Sequence, residues 1–291
     1  MATKLQNISE LARQTTERLT QSVDNWKRFL DSAAWLYKYP FHEQVLIHAQ
    51  RPDATACAPI ELWNNAFKRW VNKGAKGIAI IDDSGQKPTL RYVFDVSDTN
   101  TRYNIPFRLW QTKPEYEAQI IEELQNRFGD IGVEDADFSS AVLGIAINAV
   151  SDNYDDYKNE LLKAAGNSAL ADMSDDEISS TFMVLLMTSV AHTVFVRLGI
   201  DAAAIFRADE YDSISLFNSP DTIAQLGAAT SDISEMVLRQ IERSVRSMER
   251  QERDTLAKSQ QVLQNEDRKN ERSVEHGTQL QAERGLPDSR Y

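Results

Sequence analysis

The sequence feature that most constrains the fold is a single change of hydrophobic period. Apolar residues recur at helical spacing through most of the chain, but residues 69–96 contain short runs typical of strands. These runs predict strands over 69–71, 77–81 and 90–96, with a glycine-containing turn at 72–74. We therefore predict an α+β fold: a small antiparallel β-meander with flanking helices, followed by an acidic helical region and a disordered tail.

Proline, glycine and cap residues mark the predicted helix boundaries. The predicted helices cover residues 24–37, 41–50, 60–67, 115–128, 137–149, 154–165, 175–198 and 221–251. Residues 1–22 carry only a loose apolar stripe, which predicts a tail or a marginal helix. Residues 251–291 have too little apolar content to form a core, so we expect a disordered tail or linker. The resulting domain organisation is 1–22, 23–112, 113–250 and 251–291.

Composition excludes several classes of protein. The chain has one cysteine, Cys57, so neither an internal disulfide nor a cysteine-based zinc cluster is possible. The most apolar stretch, residues 182–196, is interrupted by serine, threonine and histidine, which favours a buried helix over a membrane span. We expect no membrane association and a cytoplasmic location.

Charge is distributed unevenly along the chain. The net charge is −12, which argues against a surface covered in nucleic acid. Residues 51–113, however, contain ten basic and six acidic side chains, whereas residues 115–235 are strongly acidic. Because screening limits the reach of a charge to about 10 Å, one basic face can still bind phosphate on an acidic protein.

Motifs for catalysis are lacking in the sequence. His42-Glu43 suggests a zinc peptidase, but that motif requires histidine at position 46, where this chain has Leu46, and His48 is six residues away. His192 lies in an apolar run and is predicted to be a hydrogen-bonded core histidine, and Cys57 a small thiol with some burial. We expect no catalytic residue, no metal and no cofactor.

The most site-like stretch runs from Lys68 to Gly77. Its lysines and arginine can neutralise phosphates, its glycines let backbone N–H groups approach a ligand, and nearby indoles can stack on unpaired bases. The candidate nucleic-acid-binding residues are Arg51, Lys68, Arg69, Trp70, Lys73, Gly74, Lys76, Gly77, Arg91, Tyr92 and Trp110. The structural alternative is a solvated lysine-rich hairpin whose aromatic residues face a core.

The same stretch resembles the N-terminal domain of ArdC-type antirestriction proteins. The shared pattern is a tryptophan-containing helix, a V-x-x-G-x-K-G hairpin and an aromatic strand ending in F-D-[VI]-x-x-T. It is carried here by Trp63, Val71, Gly74, Lys76, Gly77, Phe94, Asp95 and Thr99. The resemblance implies binding of single-stranded DNA by a protein of plasmids or conjugative elements.

Two further phrases, FHEQVLIHAQRPDATA and YNIPFRLWQTKPEYE, are similar to the N-terminal regions of large helicase/methyltransferase-like proteins of conjugative elements in Firmicutes. That likeness implies a bacterial cytoplasmic protein with conjugation or restriction machinery as further partners. The chain lacks the C-terminal metallopeptidase motif of full ArdC-type proteins, so no protease activity is implied.

Three functions remain open from the sequence. The first is a single-stranded DNA-binding module acting through the basic, aromatic hairpin. The second is a non-catalytic interaction or scaffold module whose acidic helices dock a partner or mimic DNA. The third is a metal-dependent nuclease using Asp82, Asp83 or Asp95, for which no motif exists.

Overall fold

The structure is a computed structural model that describes residues 2–101, 107–132 and 136–284. The chain divides into two units, residues 1–242 and residues 243–291. The helices are α1 (Lys4–Leu19), α2 (Val23–Trp35), α3 (Phe41–Gln50), α4 (Ile60–Asn65), α5 (Glu117–Phe128), α6 (Phe138–Ala164), α7 (Asp175–Leu198), α8 (Ala202–Ile205) and α9 (Pro220–Arg284). The strands are β1 (Cys57–Ala58), β2 (Trp70–Val71), β3 (Ile78–Asp82), β4 (Thr89–Asp95) and β5 (Thr99–Asn100).

The strands form two small antiparallel sheets. One has the order β1-β4-β3, and the other pairs β2 with β5. The predicted α+β class, with a small antiparallel sheet and flanking helices, is therefore confirmed. The sheet and its helices share a core of Leu36, Leu46, Ile47, Ala54, Ile78, Ile80 and Val93.

The predicted hairpin between residues 69–71 and 77–81 is wrong. β2 pairs with β5, with Trp70 opposite Asn100 and Val71 opposite Thr99, and β3 pairs with β4. Side-chain hydrogen bonds stabilise the pairing of β2 with β5, because the Arg69 guanidinium donates to Thr99 Oγ1 at 2.7 Å and to the Thr99 carbonyl at 3.0 Å. The basic glycine-containing segment is thus a loop between two sheets.

Local sequence explains the main helix ends. Thr3 and Gln6 form a capping box that starts α1, and Ser174 and Glu177 do the same for α7. Gly199 ends α7 with φ of 77°, a left-handed conformation that glycine adopts without strain.

Helix α6 joins two segments that the sequence predicted as separate helices, 137–149 and 154–165. The intervening residues, 150–153, contain neither proline nor glycine, so continuing the helix costs well under about 1 kcal/mol per residue. Burial of Val150 and Tyr154 offsets that cost.

Helix α7 is long and apolar enough to cross a membrane, the one such helix in the described part of the chain. Its most apolar window is 67% buried inside the protein, which is the environment of a core helix. The predicted buried helix over this stretch is confirmed.

Side chains 251–261 are all exposed, in agreement with the predicted lack of a core after residue 250. The backbone of α9 nevertheless remains helical to Arg284. A helix whose side chains are exposed is marginal in water, so the helical geometry of residues 251–261 is compatible with the predicted disordered tail or linker. Residues 285–291 lie outside the described residues.

Candidate nucleic-acid interface

The loop between β2 and β3, residues 72–77, presents the candidate lysines. The Ala75 N–H donates to the Asn72 carbonyl at 3.1 Å, which closes a turn around Gly74. Gly74 has φ of 87° and is open to solvent, as predicted for a glycine in this turn. Lys73 and Lys76 flank it and are exposed. Their Cα atoms are separated by three residues of backbone and so cannot be more than about 11 Å apart.

Lys68 lies just before β2 on the same segment. Its φ of 53° is the only positive value for a non-glycine residue in the described part of the chain, and its side chain is exposed. Neither Lys68, Lys73 nor Lys76 has an ion-pair partner among the described residues. These three cations remain available to a ligand.

Gly77 connects the loop to an aromatic surface. A Cβ atom at Gly77 would lie 3.1 Å from Phe94 Cζ and 3.2 Å from Tyr92 Cβ, so the backbone packs directly against β4. Tyr92 is 37% exposed. The Lys4 ammonium lies 4.8 Å from the centre of the Tyr92 ring, in a cation–π contact.

Lys4 is a residue that sequence reasoning missed. It lies more than sixty residues before the loop and reaches the Tyr92 ring because α1 packs beside β3. Ile8 and Ala12 of α1 pack on the hydrophobic core described above. No local pattern in the sequence signals that placement.

The tryptophans near the loop differ in exposure. Trp63 is buried, and its indole N–H donates to the Phe94 carbonyl at 2.9 Å. Trp70 is half-buried on β2. Phe67 packs against Trp63 with ring centres 5.1 Å apart and is still 43% exposed, so it adds an aromatic surface that was not predicted.

The side chains of three candidate arginines already bind other residues of the fold. Arg51 Nη1 donates to Asp98 Oδ2 at 2.8 Å, and this hydrogen bond raises the pKa of Arg51. Arg91 Nη2 lies 2.6 Å from the buried Glu43 carboxylate, and Arg69 is held by β5 as described above. Their charges are largely neutralised or directed inward, so they contribute less to the surface than the sequence suggested.

Trp110 is excluded as a stacking residue. It is 4% exposed, its indole N–H donates to the Tyr37 hydroxyl at 3.0 Å, and its ring is covered by the Arg197 guanidinium at 3.6 Å. The physical reason is that the chain after residue 106 turns towards α7, where a large apolar ring gains more from burial than from solvent. Arg102, one of the ten predicted basic residues, lies outside the described residues.

Two carboxylates of the nuclease alternative, Asp82 and Asp95, have structural roles, and the third, Asp83, is exposed. Asp95 is buried and accepts from the backbone N–H groups of Thr55, Ala56 and Ser97 and from the Ser97 hydroxyl. Hydrogen bonds from Ser84 hold the pKa of Asp82 below its ordinary value. The described residues contain no group of three or more potential metal ligands.

The histidines and the cysteine also have local explanations. His192 is buried between Tyr211, 2.7 Å from Nδ1, and Asp31, 2.9 Å from Nε2, which confirms a hydrogen-bonded core histidine. Burial lowers the pKa of His48. Burial also raises the pKa of the half-buried Cys57 thiol, which makes this group a poor nucleophile.

The described candidates therefore separate into an exposed set and a set used internally. The exposed set is Lys68, Lys73, Gly74, Lys76 and Tyr92, with Lys4 and Phe67 added by the structure. We name this exposed set the loop patch. No family model matches the chain, and neither does any curated protein or solved structure, so the resemblance to ArdC-type domains depends on its motifs alone.

Proposed function

We propose that the protein binds single-stranded DNA through the loop patch. The observation that carries this proposal is the exposed turn at Gly74 with free lysines on both sides, Lys73 and Lys76. A lysine ammonium is a strongly hydrated, flexible point charge, suited to following a phosphate backbone without reading its sequence.

Local charge supports this proposal despite the acidic total. Residues 66–81 contain four basic side chains and no acidic one. Because screening limits the reach of a charge to a Debye length of about 8–10 Å, a phosphate bound at this segment experiences its side chains more strongly than charges farther away. A net charge of −12 still weakens long-range attraction, which favours a short contact over wrapping.

Aromatic surface next to the lysines favours a single strand over a duplex. Tyr92 and Phe67 are 37% and 43% exposed, and unpaired bases can stack on such rings. Each base stacked on an aromatic side chain contributes about 1–3 kcal/mol, whereas bases inside a duplex are not accessible to them. The motif resemblance to ArdC-type domains points the same way and suggests a role in conjugation or restriction evasion.

The test is a fluorescence titration of the full-length protein with 5′-hydroxyl single-stranded and double-stranded oligonucleotides at two salt concentrations. We expect tighter binding of the single strand, with log K falling against log salt by about 0.7 for each phosphate contacted. The variant Lys73→Glu with Lys76→Glu should weaken binding at least about tenfold by replacing attraction with repulsion.

The matched control is Lys163→Glu with Lys258→Glu, which changes the net charge equally at exposed positions outside the loop patch. If both double variants weaken binding equally, the effect is one of net charge and the loop patch is not the site. Binding that does not respond to salt would also contradict the proposal.

A further inference from the structure

A cavity of about 700 Å³ lies next to Trp110 and is not part of the loop patch. Residues 107–112 form one wall and residues 196–199 at the end of α7 form another, with Trp35, Thr55 and Val96 completing the lining. Two arginines, Arg108 and Arg197, line the cavity, and none of its described lining residues is acidic. The cavity is therefore positively charged in an acidic protein.

Arg197 is the unusual residue in this cavity. Arg197 is only 4% exposed. Its guanidinium carbon lies 3.6 Å from the centre of the Trp110 ring and 5.1 Å from that of Trp35. Nη2 donates one hydrogen bond, 2.9 Å long, to the Trp110 carbonyl. A guanidinium has five N–H donors, so most of its hydrogen-bonding capacity is unused by the described residues.

Arg197 has no carboxylate at ion-pair distance in the part of the chain that the structure describes. The acidic group whose charge affects it, Glu242, already accepts from the Tyr37 hydroxyl at 2.6 Å and pairs with Lys38 at 2.6 Å. Burial lowers the pKa of Arg197 to about 10, which still leaves it charged at neutral pH. A buried charge is ordinarily paired with a carboxylate, and here the described residues supply two aromatic faces, the Trp110 carbonyl and the C-terminal end of α7 instead.

We propose that this cavity binds a phosphate monoester, with Arg197 contacting the phosphate inside and Arg108 approaching it from the exposed rim. Two cations with no counter-ion among the described residues match a group that carries nearly two negative charges and three acceptor oxygens at neutral pH. A planar guanidinium that lies over one indole and near a second presents its donors in the fork geometry that phosphate oxygens accept.

The rest of the cavity fits an organic part attached to the phosphate. A phosphate alone would fill only a fraction of about 700 Å³, and Phe107 and Leu109 add apolar wall while Thr112 adds a hydroxyl. A nucleotide has this combination of phosphate and flat ring. The phosphate monoester can come from a free nucleotide or from the 5′-phosphorylated end of a DNA strand.

In the experiment, the full chain is titrated separately with a nucleoside monophosphate, the corresponding nucleoside and a dicarboxylate of equal charge. Binding is measured by calorimetry. We expect binding of the monophosphate at least about tenfold tighter than that of the other two. Equal binding of the nucleoside, or of the dicarboxylate, would overturn the assignment to phosphate, and no binding of the monophosphate would overturn the site.

Variants locate the binding. Arg108→Glu at the exposed rim should weaken monophosphate binding about tenfold or more without changing the melting temperature, whereas Arg127→Glu, an exposed arginine on α5, should leave binding unchanged. Arg197→Lys keeps the charge but removes the fork, and we expect a similar loss. Unchanged binding in both cavity variants would refute the proposal.

Oligonucleotides with and without a 5′-phosphate separate the two sources. A preference for the phosphorylated strand that disappears in Arg108→Glu would identify the strand end as ligand, and equal binding of the two strands would identify the free nucleotide. The 5′-hydroxyl titration with the Lys73 and Lys76 variants tests the loop patch separately, so either site can fail without affecting the other.

Discussion

Asp95 illustrates how a residue in a suggestive motif can be fully explained by the fold. Burial raises its pKa, but the Ser97 hydroxyl and the backbone N–H groups of Ala56, Ser97 and Thr55 outweigh burial, and the net pKa is lowered. The carboxylate fixes the chain before β1 against the end of β4. Thr99, the last motif residue, similarly accepts from Arg69. Asp95 therefore positions β4, which carries Tyr92, and Thr99 positions β2, which precedes the loop at residues 72–77.

His48 gives a pH-dependent prediction at the residue scale. Burial and the nearby Arg18 charge lower its pKa below the ordinary 6.5, and its buried Nδ1 has no hydrogen-bond partner among the described residues. The unfolded chain therefore binds a proton at higher pH than the folded chain, so stability is full above about pH 6.5 and falls as the pH decreases below it. For one proton this slope reaches at most about 1.4 kcal/mol per pH unit.

The measurement is urea unfolding between pH 7.5 and 5 for the wild type and His48→Phe. We expect the free energy of unfolding of the wild type to fall more steeply with decreasing pH than that of the variant, because phenylalanine cannot be protonated. The matched control His42→Phe alters an exposed histidine on the same helix. Identical pH profiles for the wild type and His48→Phe would contradict the prediction.

At the scale of elements, helix existence and the antiparallel pairing of β3 with β4 could be predicted, whereas the pairing of β2 could not. Helix α3 begins and ends at the predicted residues, since Pro40 and the Arg51-Pro52 step are local signals. Pairing of β2 with β5 depends on contacts between residues about thirty positions apart, such as Arg69 with Thr99. Two-residue strands carry no period, so nothing in the local sequence identified β1 or β5.

The prediction at the scale of elements concerns the packing of α9 against α3 at Gly227. Glycine inside a helix is normally about 1 kcal/mol less favourable than alanine. Here a Cβ atom would clash with the ring of Phe41, which is buried at the start of α3. We expect Gly227→Ala to destabilise the protein by about 1–2 kcal/mol net, because overpacking exceeds the gain in propensity.

Thermal and urea unfolding of the single and double variants would check this expectation. In a Phe41→Leu background, which removes part of the ring, Gly227→Ala should be less harmful, so the double-mutant cycle should give a favourable coupling. Ala228→Gly on the same helix is the control for propensity alone. A stabilised Gly227→Ala variant would show that the ring moves aside without cost.

For the whole molecule, the charge pattern along the sequence identified the loop lysines but also included arginines whose side chains are paired within the fold. The pattern located Lys73, Gly74 and Lys76, which are exposed as a surface site requires. It could not show that Arg51 and Arg91 are paired with carboxylates from distant elements, Asp98 and Glu43. Nor could it place Lys4 beside Tyr92 or Arg197 in a cavity, because these juxtapositions exist only after the helices pack.

The part of the chain after residue 250 provides the last prediction. Met248 is the last buried residue described on α9, and side chains 251–261 are exposed. None of the described side chains removed with residues 251–291 is buried, so we expect the melting temperature and the urea midpoint of the shortened protein to equal those of the full chain. The lysines of the loop patch are retained, so DNA affinity should also be unchanged within about twofold.

Differential scanning calorimetry and circular dichroism would test the truncation together. Ile241→Ala, a fully buried position retained by the truncation, is the sensitivity control and should cost about 2–5 kcal/mol through the cavity it leaves. The full chain should show more helical circular dichroism than the truncated chain. This additional signal should decrease gradually with temperature, since an unpacked helix lacks a cooperative transition. A melting temperature lowered by the truncation would mean that residues after 250 contribute to the core, contrary to their exposure.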